Sequence, residues 1–285
     1  MKFPIKFFDK QEPKKVKDVS NQPKTVSEIL QEQSQAGLDQ YRRSTQRLFA
    51  SSFSAGLELG FSLFLIGIFY TLFHGKIEDY YLTCLIAVAY SLGFIFVVIG
   101  RSELFTEHTT LAVIPVLQGI TSIKSLLKIW IIIYIGNLLG GYLFSFIFVT
   151  LGPAMGIISK EAFYHLAIKM VDFNWAIILG SSIIAGWLMG LLSWLVTSAQ
   201  ETISRIIIVA LITTVIGFGG LHHSIAGSIE VFAGTISDAR IKIGDYFHFQ
   251  SWTTLGNIIG GVVFVAIMKY TMVEKNIAKE NSDES

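Results

Sequence analysis

Between residues 48 and 270 the chain is laid out in long uncharged apolar runs, at about 48–73, 80–100, 126–151, 174–198, 204–222 and 251–270. Runs near ~20 residues match the thickness of a bilayer's hydrocarbon core. Inside that core no water meets a backbone N–H or C=O, and a helix answers the problem by bonding them to one another. The chain therefore reads as an all-α integral membrane protein. Its charged fraction agrees, at 15% against roughly a quarter in soluble domains. Two shorter apolar pieces, about 107–118 and 227–236, cannot span alone. Each follows a run that ends in polar or glycine-rich residues. Six transmembrane helices are expected, with the second and fifth broken into half-helices.

The second of these breaks places Leu221-His222-His223-Ser224-Ile225-Ala226-Gly227-Ser228 at membrane depth, with Gly217, Gly219 and Gly220 just ahead of it. Ionisable side chains there are expensive and mark a pathway by default. Irregular backbone at that depth is tolerated only where protein packs on it or it lines a cavity. The first break is Gly100-Arg101-Ser102-Glu103-Leu104-Phe105-Thr106-Glu107-His108-Thr109-Thr110. A half-helix starting after such a break turns unpaired N–H groups and its positive dipole end inward, which favours a small anion.

An internal repeat ties the two breaks together. Ala55-Gly56-Leu57-Glu58-Leu59-Gly60 in the first helix echoes Ala185-Gly186-Trp187-Leu188-Met189-Gly190 in the fourth. Gly136-Asn137-Leu138-Leu139-Gly140-Gly141 in the third echoes Gly256-Asn257-Ile258-Ile259-Gly260-Gly261 in the sixth. Halves of three spans each, about 46–151 and 174–270, point opposite ways across the membrane, and paired interrupted helices in inverted halves point to a site at the midplane.

Polar tails are expected at 1–45 and 271–285, flanking a membrane domain over 46–270. Thr25-Val26-Ser27-Glu28 fits a capping box, so a helix can begin there and run into the first span, although a solvated arm is the plainer expectation. Arg42, Arg43 and Arg47 precede the first span and put both termini in the cytoplasm. No cleavable signal peptide is read at the lysine-rich start. The formal net charge of +1 and the lack of a basic patch give no footprint for nucleic acid. A single cysteine, Cys84, allows no disulfide framework and no thiolate metal site, and neither a metal nor another cofactor is expected.

Taken together, Tyr90-Ser91-Leu92-Gly93, Glu103-Leu104-Phe105-Thr106, Gly136-Asn137 and His223-Ser224-Ile225-Ala226 resemble the signature segments of the formate/nitrite transporter family, over about 45–270. The resemblance implies an aquaporin-like six-helix bundle, a homopentamer with one pore per protomer, and residence in a bacterial inner membrane. It implies that His223 is the central pore residue facing Thr106, with Ser224 beside it. It also implies that Leu104 and Phe105 form a cytoplasmic-side constriction, that Tyr90 helps close the outer one, and that Lys169 draws anions into the outer vestibule. The chain departs from the family pattern at Gly227, where Asn is usual, and in carrying His222, Arg101, Glu103, Glu107 and His108.

A small anion loses its hydration in an apolar constriction at high cost, and protonation to the neutral acid removes most of that cost. An imidazole titrates near neutral pH and can donate that proton or bias the transfer. The expected substrates are therefore monovalent anions of weak acids, such as formate, nitrite or hydrosulfide. Two other readings stay open on the sequence. One is a neutral-solute pore, which lacks the paired Asn-Pro-Ala motifs of aquaporins. The other is a membrane sensor or enzyme built on Glu103, Glu107, His108, His222 and His223, residue types that can bind a metal. For single residues, His222 is expected to brace the break or a subunit contact, and Thr106 either faces the pore or caps the following half-helix. Glu58 is expected to bond between helices, and Glu230 to do the same or to lie near a pore mouth.

Overall fold

The computed structural model describes residues 23–273, all helix and turn. The parts of the two expected tails at 1–22 and 274–285 lie outside the described residues.

Helix α1 (Val26–Arg42) opens on the capping box: Glu28 N–H donates to Thr25 Oγ1 at 3.2 Å, and Thr25 N–H to Glu28 Oε2 at 2.8 Å. It does not run into the first span, because Arg43 is extended and Ser44 caps a new helix, α2 (Thr45–Phe73). Nor is it a solvated arm. Ile29 and Leu30 pack with Ile114 and Trp194, and Gln33 Nε2 donates to Ser193 Oγ and Thr197 Oγ1 at 3.1 and 2.9 Å. Gly37 sits so close that a Cβ there would fall 2.2 Å from Leu111 O. The Tyr41 hydroxyl donates to Ala112 O at 2.7 Å, and burial pushes its pKa up to about 12, so it stays a donor at any physiological pH. The polar average of this stretch hides a narrow face that fits the end of the bundle.

After α2 come α3 (Asp79–Gly100), the half-helix α4 (Phe105–Leu111), one turn of α5 (Ile114–Leu117), and α6 (Ile123–Ala154). The second half runs α7 (Lys160–Val171), α8 (Trp175–Ser198), α9 (Thr202–Phe218), the half-helix α10 (Ala226–Ser237) and α11 (Ile243–Gly261), which continues to Val273. Five of these, α2, α3, α6, α8 and α11, are long and apolar enough to cross a membrane. Helix α9 has 17 residues, about 25 Å at 1.5 Å per residue, which is short of a ~30 Å core. Its continuation across the break is α10. Helix α7 joins the halves and was not expected. Its signal is local: Ser159 Oγ accepts from Ala162 N–H at 3.2 Å, and Phe163, Leu166 and Ala167 form a buried stripe. Twelve residues are simply too few to register as a span.

The sequence repeat is a packing repeat. Helix α2 lies along α6, and α8 lies along α11, with glycine at matching contacts. A Cβ on Gly56 would fall 2.1 Å from Asn137 O, and one on Gly186 would fall 2.4 Å from Asn257 O. Between membrane helices the lipid supplies no hydrophobic drive, so close backbone approach and van der Waals fit hold the pair. Helix α11 widens into a π-helical turn at Val262–Ile267. Just ahead of it, Gly261 O accepts a hydrogen bond from Thr110 Oγ1 at 3.2 Å, which ties α4 into the second half.

Candidate functional site

Both breaks are made the same way. Helix α3 ends with Arg101 in the left-handed region (φ 58°) and Ser102 N–H reaching back to Val97 O at 3.0 Å. Helix α9 is followed by Gly220 (φ 58°), with Leu221 N–H reaching Ile216 O at 3.0 Å. An asparagine from the neighbouring helix then satisfies the freed backbone. Asn137 Oδ1 accepts from Phe105 N–H at 2.8 Å, and its Nδ2 donates to Ser52 O and Glu103 O at 2.7 and 2.8 Å. Asn257 Oδ1 accepts from Ser224 N–H at 2.8 Å, and its Nδ2 donates to Ser182 O and His222 O at 2.8 and 3.1 Å. The register this sets pairs Glu103 with His222, Leu104 with His223, and Phe105 with Ser224.

The breaks meet at His223 and Thr106, both fully buried, with Nε2 and Oγ1 3.0 Å apart. The other ring nitrogen, Nδ1, accepts from the backbone N–H groups of Ile225 and Ala226 at 3.3 and 3.1 Å. His223 is thus the cap of α10. An acceptor at Nδ1 places the proton of the neutral ring on Nε2, aimed at Thr106. Phe94 holds the ring edge-on at 5.2 Å between centroids. Thr106 Oγ1 meets the imidazole, and the N-cap residue of α4, Leu104, has no side-chain cap bond.

On one side of His223 lies a cavity of ≈ 310 Å³, lined among others by Tyr90, Lys169, Glu230 and the glycines Gly217, Gly219 and Gly220. Gly217 lets Tyr90 lie close, since a Cβ there would fall 2.9 Å from the tyrosine Cβ. Tyr90, Lys169 and His223 therefore line one space. Leu104, Phe105 and Thr106 do not line it; Leu104 and Phe105 are buried beyond it, and the Phe105 ring packs on Tyr134 and Trp130 of α6, 4.9 and 6.0 Å between centroids. Ser224 is buried, and its Oγ finds no partner among the described residues.

Several of the departures have identifiable partners. A Cβ on Gly227 would meet the tip of the Phe249 ring at 2.6 Å, so Phe249 fills the room that a larger side chain would need. His222 braces: its Nδ1 lies 2.9 Å from Ser181 Oγ and its Nε2 3.1 Å from Met170 O. Glu58 Oε1 accepts from Ser54 Oγ of its own helix and from Ser102 Oγ in the first break, at 2.7 and 2.9 Å, so it ties α2 to the break and not to another helix. Glu103 pairs with Arg43 and with His108, whose Nε2 is 2.5 Å away. Sequence spacing gave no hint of that arginine, 60 residues upstream. Among the described residues no three of His, Cys, Asp and Glu converge as metal ligands.

Residues 27–271 match the family model described as "Formate/nitrite transporter". The chain is 27% identical to the "Inner membrane protein YfdC" of Escherichia coli (strain K12), over 97% of this chain and 88% of that one. Two solved structures share the fold. One, "FNT family ion channel", has a TM-score of 0.77 at 19% identity, over 86% of this chain and 99% of that one. The other, "Pentameric formate channel with formate bound", has a TM-score of 0.67 at 22% identity, over 80% and 97%.

Proposed function

Because the chain belongs to the formate/nitrite transporter family, we propose that it is a channel for small monovalent anions of weak acids, formate and nitrite first. The observation that carries this is the contact between His223 Nε2 and Thr106 Oγ1 at the meeting of two broken helices, directly beneath a cavity that Lys169 also lines.

In this reading Lys169 gathers anions at the mouth, and Tyr90 narrows the outer way. The anion reaches His223 and Thr106, passes Ser224, and leaves by way of Leu104 and Phe105. Stripped of water, it needs hydrogen bonds or a proton. The sequence leaves the imidazole two roles, giving the proton or biasing its transfer, and the geometry favours the second. Protonating Nδ1 would cost the two backbone N–H bonds that cap α10, whereas Nε2–H is already placed to bond an arriving anion. The chain forms a six-span homopentamer, in keeping with the pentameric neighbour, with residues 46–270 as the channel domain. It sits in a bacterial inner membrane with both termini cytoplasmic, in keeping with the inner-membrane relative and the arginines before α2.

The test is flux into liposomes carrying the purified protein, with formate, nitrite, hydrosulfide and chloride compared across pH. Weak-acid flux that rises as pH falls, with chloride far behind, is the expected result. A folded pentamer that passes none of the weak-acid anions overturns the reading.

A further inference from the structure

Glu230 stands on α10, one side of the vestibule, and is only 7% exposed. Yet it makes no hydrogen bond or ion pair with any described residue, and what surface it keeps lines the cavity that His223 floors. A buried carboxyl ordinarily finds a partner, and one left open to a cavity has its oxygens free for whatever enters. The groups around it are few. Lys169 of α7 and Tyr90 of α3 line the same cavity, and His223 lies below. Helices α2 and α9 present apolar or glycine surface there, Ile66, Ile216 and Gly217. On the far faces of α10, Tyr142 and Tyr246 of α6 and α11 bond each other and Ser228, so they are engaged elsewhere.

We propose that Glu230 is the acid that hands a proton to the anion in the vestibule before it reaches His223. The inference rests on the weak-acid reading above and names the proton source that the capped, neutral imidazole does not provide. In the step, the O–H bond of the Glu230 carboxylic acid breaks as a bond to hydrogen forms on the anion. The neutral acid moves on to the constriction, and the carboxylate left behind shares the cavity with the positive charge of Lys169. A proton from the outer solution restores the carboxylic acid. One anion and one proton enter the constriction per cycle.

The experiment compares wild type, Glu230→Gln and Glu230→Asp in liposomes, following formate entry and internal pH together from pH 5 to 8. Unfolding midpoint and pentamer size serve as controls. Glu230→Gln is expected to lose about tenfold or more of the flux near neutral pH, as removal of a general acid does. It should approach wild type at pH 5, where the bulk supplies the neutral acid, and Glu230→Asp should recover part of the loss. Unchanged flux in Glu230→Gln overturns the proposal. Increased flux of every anion also overturns it and makes Glu230 a repelling charge, and an equal loss at all pH values makes its role structural. Wild type that carries no weak acid removes the channel reading itself, which is a separate and recognisable outcome.

Discussion

At the first break an arginine takes the left-handed turn, and a leucine follows the carbonyl that Asn137 holds. At the second break the same turn is Gly220, and His223 follows the carbonyl that Asn257 holds. The backbones match bond for bond, while the side chains between them share almost nothing. Three hydrogen bonds from one asparagine fix each break without consulting its side chains. Those positions are then free to carry a leucine in one half and a histidine in the other. Around the breaks the halves diverge further. Glu103 reaches out to Arg43 beside α1, whereas His222 is tied inward to Ser181 and Met170.

The comparison breaks most violently at its shared part. Asn137→Ala and Asn257→Ala each leave two backbone groups of a break unanswered, Phe105 N–H and Glu103 O in one and Ser224 N–H and His222 O in the other, and each should cost about 2–4 kcal/mol at 1–2 per group. Thermal unfolding in detergent measures this. Equal losses support equivalent breaks, and a much milder Asn137→Ala would mean that the Arg43–Glu103 pair carries the first one. His223→Leu next makes the two breaks alike at the one position where they differ most. Weak-acid flux should fall roughly 2–10-fold for a lost hydrogen bond to the passing acid, while the lost cap lowers stability by only about 1 kcal/mol. Undiminished flux would remove the imidazole from the pathway. The smallest effect is at the turns. Arg101→Gly should stabilise by about 1 kcal/mol and Gly220→Ala destabilise by about as much, since only glycine holds φ near +60° without strain. Matching shifts of opposite sign in the unfolding midpoint would confirm that the turns are one device used twice.

Much of this was legible beforehand, because it rests on period and spacing. The apolar runs, the two breaks and the paired Gly-Asn motifs all report contacts that the chain makes with its own repeat. His223 and Thr106 were legible through family likeness, and their 3.0 Å approach needed the fold. Helix α7 escaped because it is short, and the docking of α1 because its buried face is narrow and mostly polar. The Arg43–Glu103–His108 chain and the seat of Gly227 on Phe249 escaped for another reason. Each joins segments far apart in sequence, where no periodicity constrains the partner.

The shortness of α9 has an electrical consequence. A helix that stops part-way leaves a cavity reaching toward the midplane, so the membrane potential falls mainly across the thin layer from His223 to the far side. A bare anion crossing that layer would gain or lose close to the full ~2.3 kcal/mol per 100 mV. A neutral acid formed in the cavity crosses it without sensing the field. Influx by the proposed route is then set by the concentrations of anion and proton alone, and a cell could change its voltage without reversing the flow.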